Sequence, residues 1–499
     1  MVKYNKVTQT PVVTKAVTTP STKKSPKVKN LAGAVAYQAS DKLALASVML
    51  TSMVSDTFYR TEAETVKHLK HLVSRVDPLF AAQTAVYARR RFGLRSITHL
   101  TAAELVSTVS GTAWGSDFYR AIADRPDDMT EIVSLLEGEG KGRAHVSNAM
   151  RKGFGRRLAE LDEYTLAKYA RRSGKVKLVD LVNVCHPKAT PALTALVNGS
   201  LASPDTWEVA ISAAKGPEEK AAEWERLVVE DRLGYLALLR NIRNVALHAP
   251  QALETALERL ADESFIRKGR VFPHQILVAY KTLEKAELPR SVLDQALSGL
   301  DRAATVATSN IPAFAGKTLV AVDSSGSMSS AHSNSFGGLS PSEVGGLLGL
   351  ALAYGQDTDL MTFDTKAVKV KVNKDLSLMK SFSKIKSMGG GTSFHCIFQG
   401  LNTRYDRIIV LSDMQGWETG DYTSPRPMKT SFAEYKARTD NPDVALWSID
   451  LLGYGTLMFP EHKVFTLAGY SDKLFDVMTT AEREGGLDTL VKAIEDTEF

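Results

Sequence analysis

From residue 31 to about residue 305 the apolar positions recur with helical spacing. Ala44-Leu-Ala-Ser-Val-Met-Leu, Phe80-Ala-Ala-Gln-Thr-Ala-Val-Tyr, Ala192 to Val197, Tyr235-Leu-Ala-Leu-Leu and Ala252-Leu-Glu-Thr-Ala-Leu-Glu-Arg-Leu all carry helix formers. Asp77-Pro78, Ser203-Pro204-Asp205 and Leu288-Pro289 supply helix starts between them. Long β-branched runs are missing and no strict repeat period is visible. An irregular array of stacked helix pairs is the predicted architecture. The pattern changes at Gly316. Thr318-Leu-Val-Ala-Val-Asp323 is a short apolar strand followed at once by a Ser/Gly turn. Further strands are predicted at Asp359–Phe363, Val368–Val372, Arg407–Ser412 and Val444–Asp450, with helices at Glu343–Tyr354, Leu376–Ile385 and Phe394–Gly400. Such alternation predicts a mostly parallel, doubly wound α/β sheet covered on both faces. In that fold ligands bind beyond the carboxyl ends of the strands.

Composition narrows the class without changing this picture. At 499 residues the chain is too long for one ordinary core. Hydrophobic and charged fractions of 44% and 24% exclude wholesale disorder and fibrous repeats. No apolar run approaches the roughly 20 residues needed to cross a bilayer. The early lysines precede no apolar segment, so neither a membrane span nor a secretory signal is expected. Two cysteines, Cys185 and Cys396, make neither a disulfide framework nor a cysteine zinc site. A reduced, cytoplasmic protein is the simplest reading.

Charge divides the chain. From Lys317 onward 18 Lys+Arg face 23 Asp+Glu, a net of −5, which leaves 44 against 33, a net of +11, for residues 1–316. The first part should attract polyanions and the second should not. Seven lysines lie within residues 1–30 before any acidic residue, a flexible basic arm that is either a solvated tail or a nucleic-acid contact. A second concentration lies within predicted helix: Lys141, Arg143, Arg151, Lys152, Arg156, Arg157, Lys168, Arg171, Arg172, Lys175 and Lys177, opposed only by Glu160, Asp162 and Glu163. It is either a solvated face or a phosphate-binding surface that gains by displacing counterions.

The α/β part carries a second chemistry. Asp323, Ser325 and Ser327 alternate in one compact loop, Gly389-Gly-Gly-Thr392 offers another hydroxyl, and Asp413 ends the strand Ile408-Ile-Val-Leu-Ser-Asp. Two carboxylates and several hydroxyls suit a hard divalent cation, Mg²⁺ before Ca²⁺ or Mn²⁺. The alternative is that these residues cap loops in an idle site. The triple resembles the metal-ion-dependent adhesion site of von Willebrand factor A domains in residue type and order.

The helical part resembles the TROVE module of the Ro RNA-binding family. The resemblance rests on Gly153-Phe-Gly-Arg-Arg-Leu, Leu166-Ala-Lys-Tyr-Ala-Arg-Arg, Lys177-Leu-Val-Asp-Leu-Val-Asn-Val-Cys-His-Pro, Leu238-Leu-Arg-Asn-Ile, Phe265-Ile-Arg-Lys-Gly-Arg-Val-Phe-Pro-His-Gln and Ala468-Gly-Tyr-Ser-Asp-Lys-Leu-Phe. It implies a multidomain chain: a basic arm over 1–30, a ring of HEAT-like helical repeats over 31–315, and a von Willebrand factor A domain over 316–499. It implies a monomeric ring that binds small noncoding Y-like RNA on its basic outer surface. Single-stranded 3′ ends of misfolded RNA would enter its central hole, and polynucleotide phosphorylase could join through the RNA. Lys168, Arg172 and His186 match the family's RNA contacts. Arg156 and Arg157 are candidate phosphate contacts, with Lys141, Arg143 and Arg171 beside them, and His274 is assigned to structure.

An enzyme is not expected. No HExxH, P-loop or GxSxG is present, and a metal nuclease would gather more carboxylates around its ions. The competing reading is a protein-binding adaptor that works through the A-domain metal site and has no specific RNA.

Overall fold

The computed structural model describes residues 27–29, 35–38, 40–51, 62–138, 146–170, 174–204, 206–329, 339–385, 389–416, 428–452, 456–457, 464–468, 475, 478–479, 482 and 489–499. Helices follow one another from Asp41–Thr51 to Arg290–Ala307, as the apolar spacing predicts. Their ends follow ordinary capping chemistry. The Asp77 carboxylate accepts the Leu79 N–H at 2.7 Å ahead of the helix Pro78–Phe92, which stops at Gly93 with φ 68°. Pro289 stands immediately before Arg290–Ala307. Asp205 lies outside the described residues, and Thr206 caps the helix Trp207–Ala213 instead.

The larger sheet has six strands in the order β5-β4-β3-β6-β7-β9. These are β3 Thr318–Asp323, β4 Thr358–Phe363, β5 Ala367–Val370, β6 Arg407–Ser412, β7 Ala445–Asp450 and β9 Val464–Ala468. Every pairing is parallel except β4 with β5. All six residues of both β3 and β6 are buried, as expected of central strands covered on two faces. The chain leaves β3 toward β4 on one side and later returns to β6 on the other. The carboxyl ends of β3 and β6 therefore flank the topological switch point, where this architecture places its ligands.

Three strands complete the set: β1 Lys27–Lys29, β2 Val35–Gln38 and β8 Thr456–Leu457 form a second sheet in the order β1-β2-β8. Residues 27–29, at the end of the stretch read as an arm, are thus paired; residues 1–26 lie outside the described residues.

Both ends of the helical array are tied to the C-terminal half. At one end, Gln83 Nε2 on helix Pro78–Phe92 donates to the Glu495 carbonyl at 2.5 Å, and the Phe499 ring packs 5.8 Å from both Trp114 and Phe118. At the other, buried Asp301 accepts the Met379 N–H at 3.0 Å, and Lys281 pairs with Glu343. An open solenoid would touch the α/β unit at one end only. Here the unit contacts the array at both ends.

Candidate functional site

Three helices build the basic surface: Asn148–Ala159, Glu163–Ala170 and Leu178–Cys185, each packed on the others or on a shared neighbour. The first is held tightly from below. A side chain at Gly153 would meet the Ser116 carbonyl at 2.5 Å and the Tyr119 Cβ at 2.7 Å, so only glycine allows this crossing over the helix Gly115–Ile122. Phe154 beside it is fully buried, edge-on to Tyr119 at 5.7 Å. Two residues on, Gly155 leaves room for the turn Cys185-His186-Pro187, whose Cys185 carbonyl lies 3.3 Å from where a Cβ would be.

That turn positions His186. The helix Leu178–Cys185 begins with Asp180 accepting the Lys177 N–H at 2.8 Å. It ends at His186, which adopts the left-handed conformation (φ 47°, ψ 59°) and donates its N–H to the Val182 carbonyl at 3.0 Å. Pro187 forbids continuation, and the His186 side chain is left exposed. Lys168, in the last turn of Glu163–Ala170, is also exposed.

The two arginines next to Phe154 have a different role. Arg156 pairs with Asp117 at 2.7 Å and reaches Ser116 Oγ. Arg157 donates to the Ala123 and Asp124 carbonyls, both at 2.9 Å, at the end of the helix beneath. Both guanidinium groups are engaged by partners from the helix beneath, Arg156 in an exposed pair and Arg157 part-buried. Lys141, Arg143, Arg171 and Arg172 lie outside the described residues.

At the switch point the metal-site candidates converge. Val322 lies opposite Leu411, which brings Ser412 and Asp413 up beside Asp323. The Gly326 N–H donates to the Gly390 carbonyl at 2.9 Å and the Gly389 N–H to the Ser324 carbonyl at 3.0 Å, stitching the loop of Thr392 to the loop of Ser325 and Ser327. Asp323, Ser325, Ser327, Thr392 and Asp413 are all buried. The two serine hydroxyls lie 3.4 Å apart. Ser412, which sequence reasoning overlooked although it sits in the same Leu-Ser-Asp strand end, donates to Asp323 Oδ2 at 2.6 Å and orients that carboxylate.

Burial, and secondarily the Asp413 charge, push the Asp323 carboxyl up to about 7. Burial raises Asp413 as well, against the Ser327 hydroxyl that draws it down. Two carboxylates held this close cannot both ionise cheaply, so without a cation they retain a proton near neutrality. Asp413 Oδ2 is buried without a hydrogen-bond partner among the described residues. A buried carboxylate oxygen without a donor, in a site that also holds three hydroxyls, fits a hard cation, and the five residues would hold it. No cluster of three or more His, Cys, Asp or Glu suited to a metal occurs among the described residues, so this donor set depends on its hydroxyls.

Residues 38–202 and 198–298 match the family model of the TROVE domain, and residues 317–480 match that of the Ro60 vWA domain. Telomerase protein component 1 of mouse is 24% identical over 339 residues, and that of rat 22% over 338. Each match covers 49% of this chain but 13% of theirs, so the chain spans a small part of the length of these curated relatives. The crystal structure of the Deinococcus radiodurans RO (RSR) protein shares the fold with a TM-score of 0.60 and 16% identity, over 91% of this chain and 99% of that one.

Proposed function

Because this chain belongs to the Ro family of RNA-binding proteins, a TROVE module joined to a Ro-type von Willebrand factor A domain, we propose that it is a non-enzymatic RNA-binding ring. Small noncoding Y-like RNA binds its basic outer surface, and single-stranded 3′ ends of misfolded RNA enter the central hole. The protein serves RNA quality control, or tethers an exoribonuclease such as polynucleotide phosphorylase through the RNA. One observation carries the reading. Within the basic stretch the fold engages Arg156 and Arg157, yet leaves Lys168 and His186 exposed on neighbouring helices without a partner that the described residues supply. An exposed histidine at a helix end can stack on a base or donate to a phosphate.

In the A domain we propose a divalent ion, Mg²⁺ before Ca²⁺ or Mn²⁺, held by Asp323, Ser325, Ser327, Thr392 and Asp413. The orphaned Asp413 oxygen supports it. Such an ion leaves an open position for an outside carboxylate or phosphate, the chemistry on which a protein-adaptor reading would rest. Crosslinking and sequencing of RNA that co-purifies from the native host tests the main reading. A dominant small RNA with a stem and internal loop supports surface binding, and heterogeneous 3′ ends support the hole as the principal site. Absence of any enriched RNA would favour the adaptor.

A further inference from the structure

The face around Lys168 carries a group that phosphate binding does not use. Tyr164, in the first turn of helix Glu163–Ala170, is 50% exposed. It is the one exposed Phe, Trp or Tyr side chain among the described residues. Its half-exposed ring presents a π-face to a ligand that docks there. Tyr164 and Lys168 are four residues apart on one helix, so ring and ammonium share a face with Cβ atoms about 5–6 Å apart. One nucleotide spans a comparable distance between its base and its phosphate.

The surroundings fit the same ligand. Ala167, three residues beyond Tyr164, lines a groove of about 350 Å³ with Ala170, Lys177, Leu178, Leu196 and Val197. That volume lies at the lower end of small-ligand clefts, which run from about 300 to 1,000 Å³. Lys177, which lines that groove, is exposed, as are Lys175 and Lys188 near the ends of the neighbouring helix Leu178–Cys185. The adjacent acids face the backbone instead: Asp162 accepts the Thr165 N–H at 2.7 Å and Glu163 the Ala202 N–H at 3.4 Å. A surface of free cations with one free aromatic ring suits an anion that also presents a flat π-face.

We propose that Tyr164 and Lys168 clamp one unpaired nucleotide of the bound RNA, the phenol ring stacked on the base and the ammonium on the phosphate. This face then selects RNA with an unpaired base beside a helix over continuous duplex. The inference rests on the RNA-binding reading above. Its test uses the full chain and two RNAs: a hairpin with a single 2-aminopurine bulge, and the same hairpin without the bulge. The native protein should prefer the bulged RNA and quench its fluorescence. Tyr164→Phe should keep both properties. Tyr164→Ala should lose about 5- to 150-fold in affinity for the bulged RNA, the range of one lost base stack, with hairpin affinity and thermal melting unchanged. Equal affinity of Tyr164→Ala and native protein for the bulged RNA, or an equal loss on both RNAs, overturns the clamp and leaves the RNA-binding reading standing. If the native protein binds neither RNA at low salt, both fall and the face belongs to an acidic protein partner.

Discussion

Two concentrations of cationic side chains in the helical half meet opposite fates. In the first, Arg89, Arg95 and His99 converge on the fully buried Asp128. Arg89 Nη2 lies 2.8 Å from Oδ2, Arg95 Nε 3.2 Å from Oδ1, and His99 Nε2 2.9 Å from Oδ1. Glu131 takes the other side of His99 at 2.8 Å and Arg95 at 2.7 Å. In the second, Lys168 and His186 face solvent. Cation density does not separate the two, because Arg89-Arg90-Arg91 is as basic a run as any in the chain. What separates them is whether carboxylates from a neighbouring helix arrive at the same place. Cations with such partners hold helices together; those without remain available to a ligand.

The largest expected effect breaks the first region. Asp128→Ala leaves Arg89, whose side chain is 4% exposed, without its principal partner. Urea unfolding should show a loss of about 3–5 kcal/mol, the usual cost of orphaning a buried charge. A loss under about 1 kcal/mol would mean the network is solvated like a surface pair. Replacing Lys168, Arg172 and His186 together attacks the second region. Melting should not change, but small-RNA binding should weaken, and its log–log salt dependence should flatten by about 1.4 if two single-strand phosphate contacts are lost. Native affinity in that variant would rule out these residues as the binding site.

His99 distinguishes the regions by pH. Burial alone would lower its pKa, but hydrogen bonds to Asp128 and Glu131 outweigh burial and the net shift is upward. Its stabilising contribution is therefore complete below the ordinary histidine value of about 6.5 and disappears as pH rises through the elevated folded value. The stability gap between native protein and His99→Gln should narrow over that rise, whereas RNA affinity per folded molecule should not track it. A gap independent of pH would show that His99 is neutral in the fold.

The acidic pair in the A domain responds in the same direction. Asp323 is raised to about 7, so metal-free protein should lose stability as pH climbs from its ordinary carboxyl range through neutrality. Mg²⁺ should cancel that loss; Asp413→Asn should abolish the Mg²⁺ response but only lessen the loss, because burial alone still raises Asp323, both read as melting temperature. RNA affinity should be spared in Asp323→Ala. The smallest effect is expected of Arg156→Ala, which removes an exposed pair with Asp117 worth at most about 1 kcal/mol. RNA affinity that falls as far as in the triple variant would place Arg156 among the ligand contacts despite its pairing.

Much of the fold was legible in the residues. Thr318–Asp323 and Arg407–Ser412 are runs of strand formers closed by turn residues, and both are central strands. The helix over 341–355 and its neighbours follow from spacing alone. Legibility failed where a partner far along the chain decides the outcome. Val464–Ala468 was passed over as a strand; it is one because β7 pairs with it. Residues 27–29 read as the end of a basic arm and 35–38 as the start of the helical array, yet they pair with each other and β8 supplies the third strand of their sheet. Arg157 reads as a surface cation, yet carbonyls 33 and 34 positions earlier take its donors.

What the sequence determined by itself was local: periodicity, capping, and the order of Asp323, Ser325, Ser327, Thr392 and Asp413, because these depend on neighbours within a few residues. Tertiary structure decided which polar groups are satisfied. It joined Ser412 to Asp323, left Asp413 Oδ2 without a partner among the described residues, buried Arg89 against Asp128 and kept Tyr164 and Lys168 in solvent. The physical reason is the same in each case. A charge or hydroxyl acquires its role from what removes its water, and here the groups that remove it come from distant parts of the chain.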